Sequence, residues 1–159
     1  MMFPNIEDRA DFTCPQNGLL QAYGIVPVHE IRKPQHLDSN GEKCLFVLKN
    51  GLATSTTFGR TSCMRSFTRT YYQGMELTAM EIAVLPYSNK EGPFSAPGDS
   101  GSIVLTRDGH ILGMITGGAG STDSTDITYA TPFHFILEQI RKVFPKCHLY
   151  QADTQKQTN

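Results

Sequence analysis

Ser100 lies in Gly98-Asp99-Ser100-Gly101-Ser102, between a stretch dense in glycine, proline and serine (87–97) and the apolar run Ile103-Val104-Leu105. A hydroxyl presented this way is a candidate nucleophile. The flanking glycines let the backbone turn sharply and let its N–H groups point at an incoming carbonyl oxygen. The chemistry implied is acyl transfer. A serine hydroxyl is a weak nucleophile until a base takes its proton. Two amides aimed at the tetrahedral oxyanion can contribute roughly 10²–10³ in rate each.

The activating base is harder to find. The five histidines are His29, His36, His110, His134 and His148. His110 follows Asp108-Gly109 at a hairpin tip, separated from Ser100 by four or five strand residues at about 3.3 Å each. His134 opens a C-terminal helix, where packing or capping is the expected role. His148 falls in a polar tail. His29 and His36 lie in the N-terminal arm, with Asp38 close to His36, and are read as surface or linker residues. Asp99 adjoins the serine, so its carboxylate is badly directed to orient an imidazole. The four cysteines, Cys14, Cys44, Cys63 and Cys147, are widely spaced with no histidine at ligand spacing. No metal site is expected, and no cofactor. The thiols are read as reduced, with one disulfide as the alternative.

The elements that must position Ser100 are short and β-rich. Cys44 to Lys49 is an apolar run closed by the turn pair Asn50-Gly51. Thr54 to Thr57 is β-branched, and Arg60 to Arg69 reads as the returning strand. Glu76 to Leu85 alternates and stops at Pro86. Ser102–Thr106 and His110–Ile115 flank Asp108-Gly109, the clearest hairpin of the chain. Asp126 to Ala130 is the last strand. A helix follows, with Thr131 as N-cap, Pro132 at its first position, and Phe133, Ile136, Leu137, Ile140 and Phe144 on one face. Upstream, Val26 to His29 reads as extended. This predicts an all-β fold, a single six-stranded antiparallel β-barrel with a C-terminal α-helix. Residues 1–43 are an arm, 44–145 the barrel and helix, and 146–159 a polar tail.

Composition narrows the partners. With 14 Lys and Arg against 15 Asp and Glu, the formal net charge of −1 leaves no electrostatic footprint for nucleic acid. No apolar run approaches the roughly 20 residues of a membrane span. The first residues show no basic and apolar leader, so either the protein stays inside the cell, the favoured expectation, or its true N-terminus lies upstream of this sequence. The expected partner is a peptide or protein substrate or ligand.

Together, the Gly-Asp-Ser-Gly turn, its glycine-rich approach, the hairpin after it and the terminal helix resemble the second barrel of chymotrypsin-like (trypsin-like, PA clan) serine proteases. The likeness covers roughly residues 44–145. Val47 to Arg60 is similar to the first hairpin of that barrel in microbial members, and the nearest kin are read as uncharacterised fungal ones. The resemblance implies that Ser100 is the nucleophile, that the N–H groups of Gly98 and Ser100 form the oxyanion hole, and that Asp99 supports the turn. It implies that Thr116-Gly117-Gly118 pairs with an extended substrate. Phe94 and Ser95 would lie near the pocket base, with Tyr129 opposite. No acid occupies Phe94 or Ser95, so a small or apolar side chain is the expected preference. In this family the histidine and aspartate come from a preceding barrel, which the 43 residues before Cys44 are too few to build. The chain alone is therefore expected to be inactive, its other barrel missing or supplied separately. The alternatives are a non-catalytic module binding an extended peptide along Thr116–Gly118, and a truncated gene product.

Overall fold

The computed structural model describes residues 20–38, 40–62, 64–88, 92–120 and 126–149. Cys14, Cys63 and the loop 121–125 lie outside them. Eight strands carry the fold: β1 (His36–Leu37), β2 (Lys43–Gly51), β3 (Ser55–Thr61), β4 (Arg65–Tyr72), β5 (Met75–Pro86), β6 (Ile103–Thr106), β7 (Ile111–Ala119) and β8 (Ile127–Pro132). Among the described residues two helices accompany them, α1 (Val28–Arg32) and α2 (Phe133–Val143).

All strand pairings are antiparallel, and six strands run in the order β2-β3-β5-β8-β7-β6. β6 then pairs back with β2, through Val47↔Thr106, Leu48↔Leu105 and Lys49↔Val104, so the six form a ring. This is the six-stranded barrel with a C-terminal helix that the alternation and turn signals predict. The ring is uneven. β3 and β5 share two residue pairs, Gly59↔Pro86 and Arg60↔Leu85, whereas β2 and β3 share seven.

The interior is filled by apolar side chains from five of the six ring strands. Leu45 and Val47, Ile82 and Val84, Val104, Leu112 and Ile115, and Ala130 form a single apolar cluster with Phe94, Val26 and Ile31. Burying each large aliphatic side chain contributes about 1.5–3 kcal/mol. Cys44 and Phe46 point the other way and form a second cluster with Tyr87. Cys44 is thus a small buried residue of the kind expected.

Three local expectations are corrected. The strand returning along β2 is Ser55–Thr61, with Leu45 facing Thr61. Arg65 onward does not continue it but opens a second hairpin with β5, from Arg65↔Ile82 to Tyr72↔Met75. This hairpin projects past the ring, leaving Phe67, Tyr71, Tyr72, Met75 and Leu77 exposed. Second, Val28–Arg32 is a short helix, not extended chain. Pro27 stands at its N-cap with φ −61°, and Glu30 and Ile31 N–H both donate to the Pro27 carbonyl. Third, α2 starts at Phe133 and its N-cap is Pro132, with no side-chain cap. Thr131 does not cap because its hydroxyl donates to Glu81 Oε1 at 3.2 Å.

The segment before β1 packs on the barrel. Tyr23 N–H donates to Gly109 O and Val26 N–H to Ile111 O, while Val26 and Ile31 enter the core. α2 lies against β7 and β8, with Leu137 buried.

Candidate active site

Two consecutive tight turns present Ser100. Asp99 N–H donates to Ala96 O at 3.0 Å, and Ser102 N–H to Asp99 O at 3.0 Å. Gly98 (φ +109°) and Gly101 (φ +88°) hold left-handed conformations that a side chain would strain. The bend is fastened to β7 through Gly101 N–H to Ile115 O at 2.8 Å and Ile115 N–H to Ser102 O at 2.9 Å. Ser100 is exposed at the crest. Among the described residues nothing hydrogen-bonds its Oγ, and the N–H groups of Gly98 and Ser100 donate to no other group.

Beneath the crest, Asp99 is fully buried and collects five hydrogen bonds. Oδ1 accepts from Ala53 N–H (2.7 Å) and Thr54 N–H (3.3 Å). Oδ2 accepts from the Thr54 hydroxyl (2.6 Å), Lys49 Nζ (3.0 Å) and Ala96 N–H (3.1 Å). Lys49 is equally buried. Its three ammonium donors meet Asp99, the Ser55 carbonyl at 3.0 Å and the Thr54 hydroxyl. Burial by itself would raise the Asp99 carboxyl pKa. The bonds from Thr54, Lys49, Ala53 and Ala96 outweigh it and hold the carboxyl well below the usual carboxylate range. A buried charge is tolerated only when paired and hydrogen-bonded, and here both charges are. Packing leaves no slack: a Cβ on Gly51 would lie 2.3 Å from Asp99 Oδ1.

A cavity of about 360 Å³ opens beside Ser100, bounded by Ser95, Ala96, Ile115, Gly117 and Asp126 among others. Ser95 Oγ and Thr128 Oγ1 share a hydrogen bond of 2.6 Å at its side. Phe94 turns its ring into the core, fully buried, and not into this cavity. Thr116 and Tyr129 border a second groove of about 550 Å³, which shares Gly117 and Gly118 with the first. β6 ends at Ile103↔Met114, Ile115 bonds to Gly101 and Ser102, and past Ile115 β7 pairs with β8 alone among the described residues. Residues 116–119 therefore present an open backbone edge between the two hollows.

No family model matches the chain, and neither does any curated protein. Solved structures do. The glutamic-acid-specific serine protease that uses a histidine triad in substrate binding aligns over 82% of this chain and 60% of its own, at 17% identity and TM-score 0.50. Cellulomonas bogoriensis chymotrypsin covers 76% of this chain and 52% of its own, at 18% identity and TM-score 0.46. Thermobifida fusca Protease A covers 68% and 50%, at 20% identity and TM-score 0.45. The fold is that of a chymotrypsin-like barrel. The chain spans between half and 60% of the length of these structures, and at such identities the likeness concerns the fold alone.

On this chymotrypsin-like barrel all five histidines are placed, and none meets Ser100. His110 packs on the Tyr23 ring at 4.7 Å. His36 packs on Phe46 at 6.0 Å. The nearby Asp38 carboxylate pairs with Arg60 and accepts N–H bonds from Asn40 and Glu42. His29 lies exposed on α1 and His148 is exposed beside Lys146. His134 begins α2, where burial and the nearby Arg65 lower its pKa, against an opposing pull from Glu138. Among the described residues no group of three or more His, Cys, Asp or Glu is arranged to hold a metal ion.

Sequence reasoning missed four site residues. Lys49 and Thr54 complete the Asp99 network, Asp126 borders the cavity, and Glu81 borders the second groove. Lys49 carried at most a weak signal: it closes the apolar run from Cys44 to Leu48, but it stands directly before the turn pair Asn50-Gly51.

Proposed function

We propose that this barrel is the nucleophile-bearing half of a serine-hydrolase site. It binds an extended peptide along residues 116–119 and presents Ser100 and the Gly98 and Ser100 amides to a peptide carbonyl. Chemistry at Ser100 requires an imidazole brought by another segment or another chain. One observation carries the reading. Among the described residues the two amides and the hydroxyl on the crest make no hydrogen bond, while the aspartate between them is anchored by a buried lysine. Unused backbone donors on a rigid turn are costly unless water or a ligand meets them, and they suit a developing oxyanion.

The test supplies the missing base. Wild-type protein and Ser100→Ala are mixed with an activated p-nitrophenyl peptide ester, with and without millimolar imidazole. We expect little acylation without imidazole, and acylation at Ser100 with it, detected by mass spectrometry of the modified peptide. Equal behaviour of wild type and Ser100→Ala would leave a peptide-binding module without chemistry, the reading favoured by the lack of a histidine at Ser100. Rapid acylation without imidazole would mean that the isolated chain already holds a base.

A further inference from the structure

The second groove contains a group that the Ser100 chemistry does not use. Glu81, on β5, is 4% exposed yet forms part of the groove wall. Its Oε1 accepts one hydrogen bond, from the Thr131 hydroxyl at 3.2 Å. Its Oε2 has no partner among the described residues. An ionised carboxylate offers about four acceptor positions, and a buried one left this poorly served is costly. The nearby Arg69, also in the groove wall, is engaged with Glu76 at 3.1 Å. Asp99, the other buried carboxylate of the site, shows the contrast: it has five donors and a lysine.

The rest of the wall is apolar or hydroxylic. Phe67, Leu77, Ala79 and Tyr129 line it with Thr68 and Thr70. Rings and aliphatic groups leading to a buried carboxylate match a side chain with a long apolar stem and a cationic head. Lysine and arginine are built that way. The groove adjoins the hollow beside Ser100, with which it shares Gly117 and Gly118, and a Cβ placed on Gly117 would meet no atom within 4 Å.

We infer that the groove between the β4–β5 hairpin and residues 116–118 is a subsite for a lysine or arginine of the bound peptide, with Glu81 as its specificity-determining acceptor. Glu81 is held by a single hydrogen bond, so its carboxylate can turn to meet the incoming donor. The cation enters from the side of the open β7 edge, at a peptide residue other than the one seated beside Ser100. This inference rests on the reading that an extended peptide lies along residues 116–119.

The test uses fluorescein-labelled alanine hexapeptides carrying one lysine, arginine, norleucine or glutamate at each position in turn, with binding followed by fluorescence polarisation. At one position lysine or arginine should bind roughly ten- to a hundredfold tighter than norleucine, the effect of a charge-assisted hydrogen bond. Glu81→Gln should erase that preference and leave the norleucine peptide's affinity unchanged. Free Glu81→Gln should be at least as resistant to urea as wild type, because glutamine keeps an acceptor for Thr131 and the atom it replaces, Oε2, has no partner among the described residues to lose. Binding without preference for a cation at any position, or a preference surviving in Glu81→Gln, would overturn the subsite while the peptide-groove reading stands. A Glu81→Gln protein that unfolds would assign the carboxylate a structural role and also overturn it. The wild-type comparison of lysine with norleucine needs no variant. Failure of every peptide to bind saturably would refute the groove reading itself.

Discussion

Lys49→Met removes one side of the buried ion pair beneath Ser100. Methionine nearly matches the lysine stem in volume, so the change is chiefly the loss of the ammonium. That loss takes one of five hydrogen bonds from Asp99, and strips their donor from the Ser55 carbonyl and the Thr54 hydroxyl. Removing one member of a buried pair costs about 3–5 kcal/mol. Asp99 keeps four donors here, which puts the expected cost at the lower end, about 3 kcal/mol. At roughly 2–4 °C per kcal/mol for a chain of this size, the melting temperature should fall by about 6–12 °C. The assay is urea unfolding at several pH values, with Lys142→Met as control. Lys142 faces Glu138 at 3.8 Å on the exposed face of α2, and such helix pairs are worth only about 0.3–0.5 kcal/mol. The pH dependence adds a second check. Asp99 has a lowered carboxyl pKa in the folded state, so it stabilises the fold above its unfolded value of 3.8 and loses that contribution as pH falls below it. The Lys49→Met deficit should be full near neutrality and narrow in acid below about pH 4. An unchanged urea midpoint at neutral pH, or a deficit indifferent to acid, would refute the account of how the turn is held.

Two further outcomes follow from the geometry. Gly51→Ala should destabilise by about 1–3 kcal/mol, read as a lower urea midpoint, because its methyl would lie 2.3 Å from an Asp99 oxygen that is already fixed by two N–H groups. His134 binds its proton less tightly in the folded state than in the unfolded chain, so its contribution is complete above 6.5 and is lost as pH falls below that value; His134→Gln should flatten the stability profile below about pH 6.5, measured by thermal unfolding in matched buffers.

The parts of this fold written in local signals were legible in the sequence. Asn50-Gly51 and Asp108-Gly109 are turn pairs, and the runs beside them became β2, β3, β6 and β7. The spacing from Phe133 onward announced α2. What was missed depends on partners distant in the chain. Nothing local separates Thr61 from Arg65 strongly enough to show that one strand ends and another hairpin begins. Lys49 stands beside Asn50-Gly51, where a charged residue reads as the solvated end of a strand. Only the closure of the ring over it, and the arrival of Asp99, makes it a buried residue. Glu81 likewise occupies an alternating strand, and its isolation follows from the hairpin projecting past the ring.

The ion pair joins residues 50 positions apart, and Lys49 is also the residue of β2 that faces Val104 where the ring closes. Contacts this distant in sequence form only once the loop between them closes, at an entropic cost that local hairpins largely avoid. The anchoring of the Ser100 crest and the closing seam of the barrel thereby share one residue, Lys49. A partly folded chain, with its early hairpins formed but its last seam open, would leave Asp99 without its lysine and the Ser100 crest unanchored.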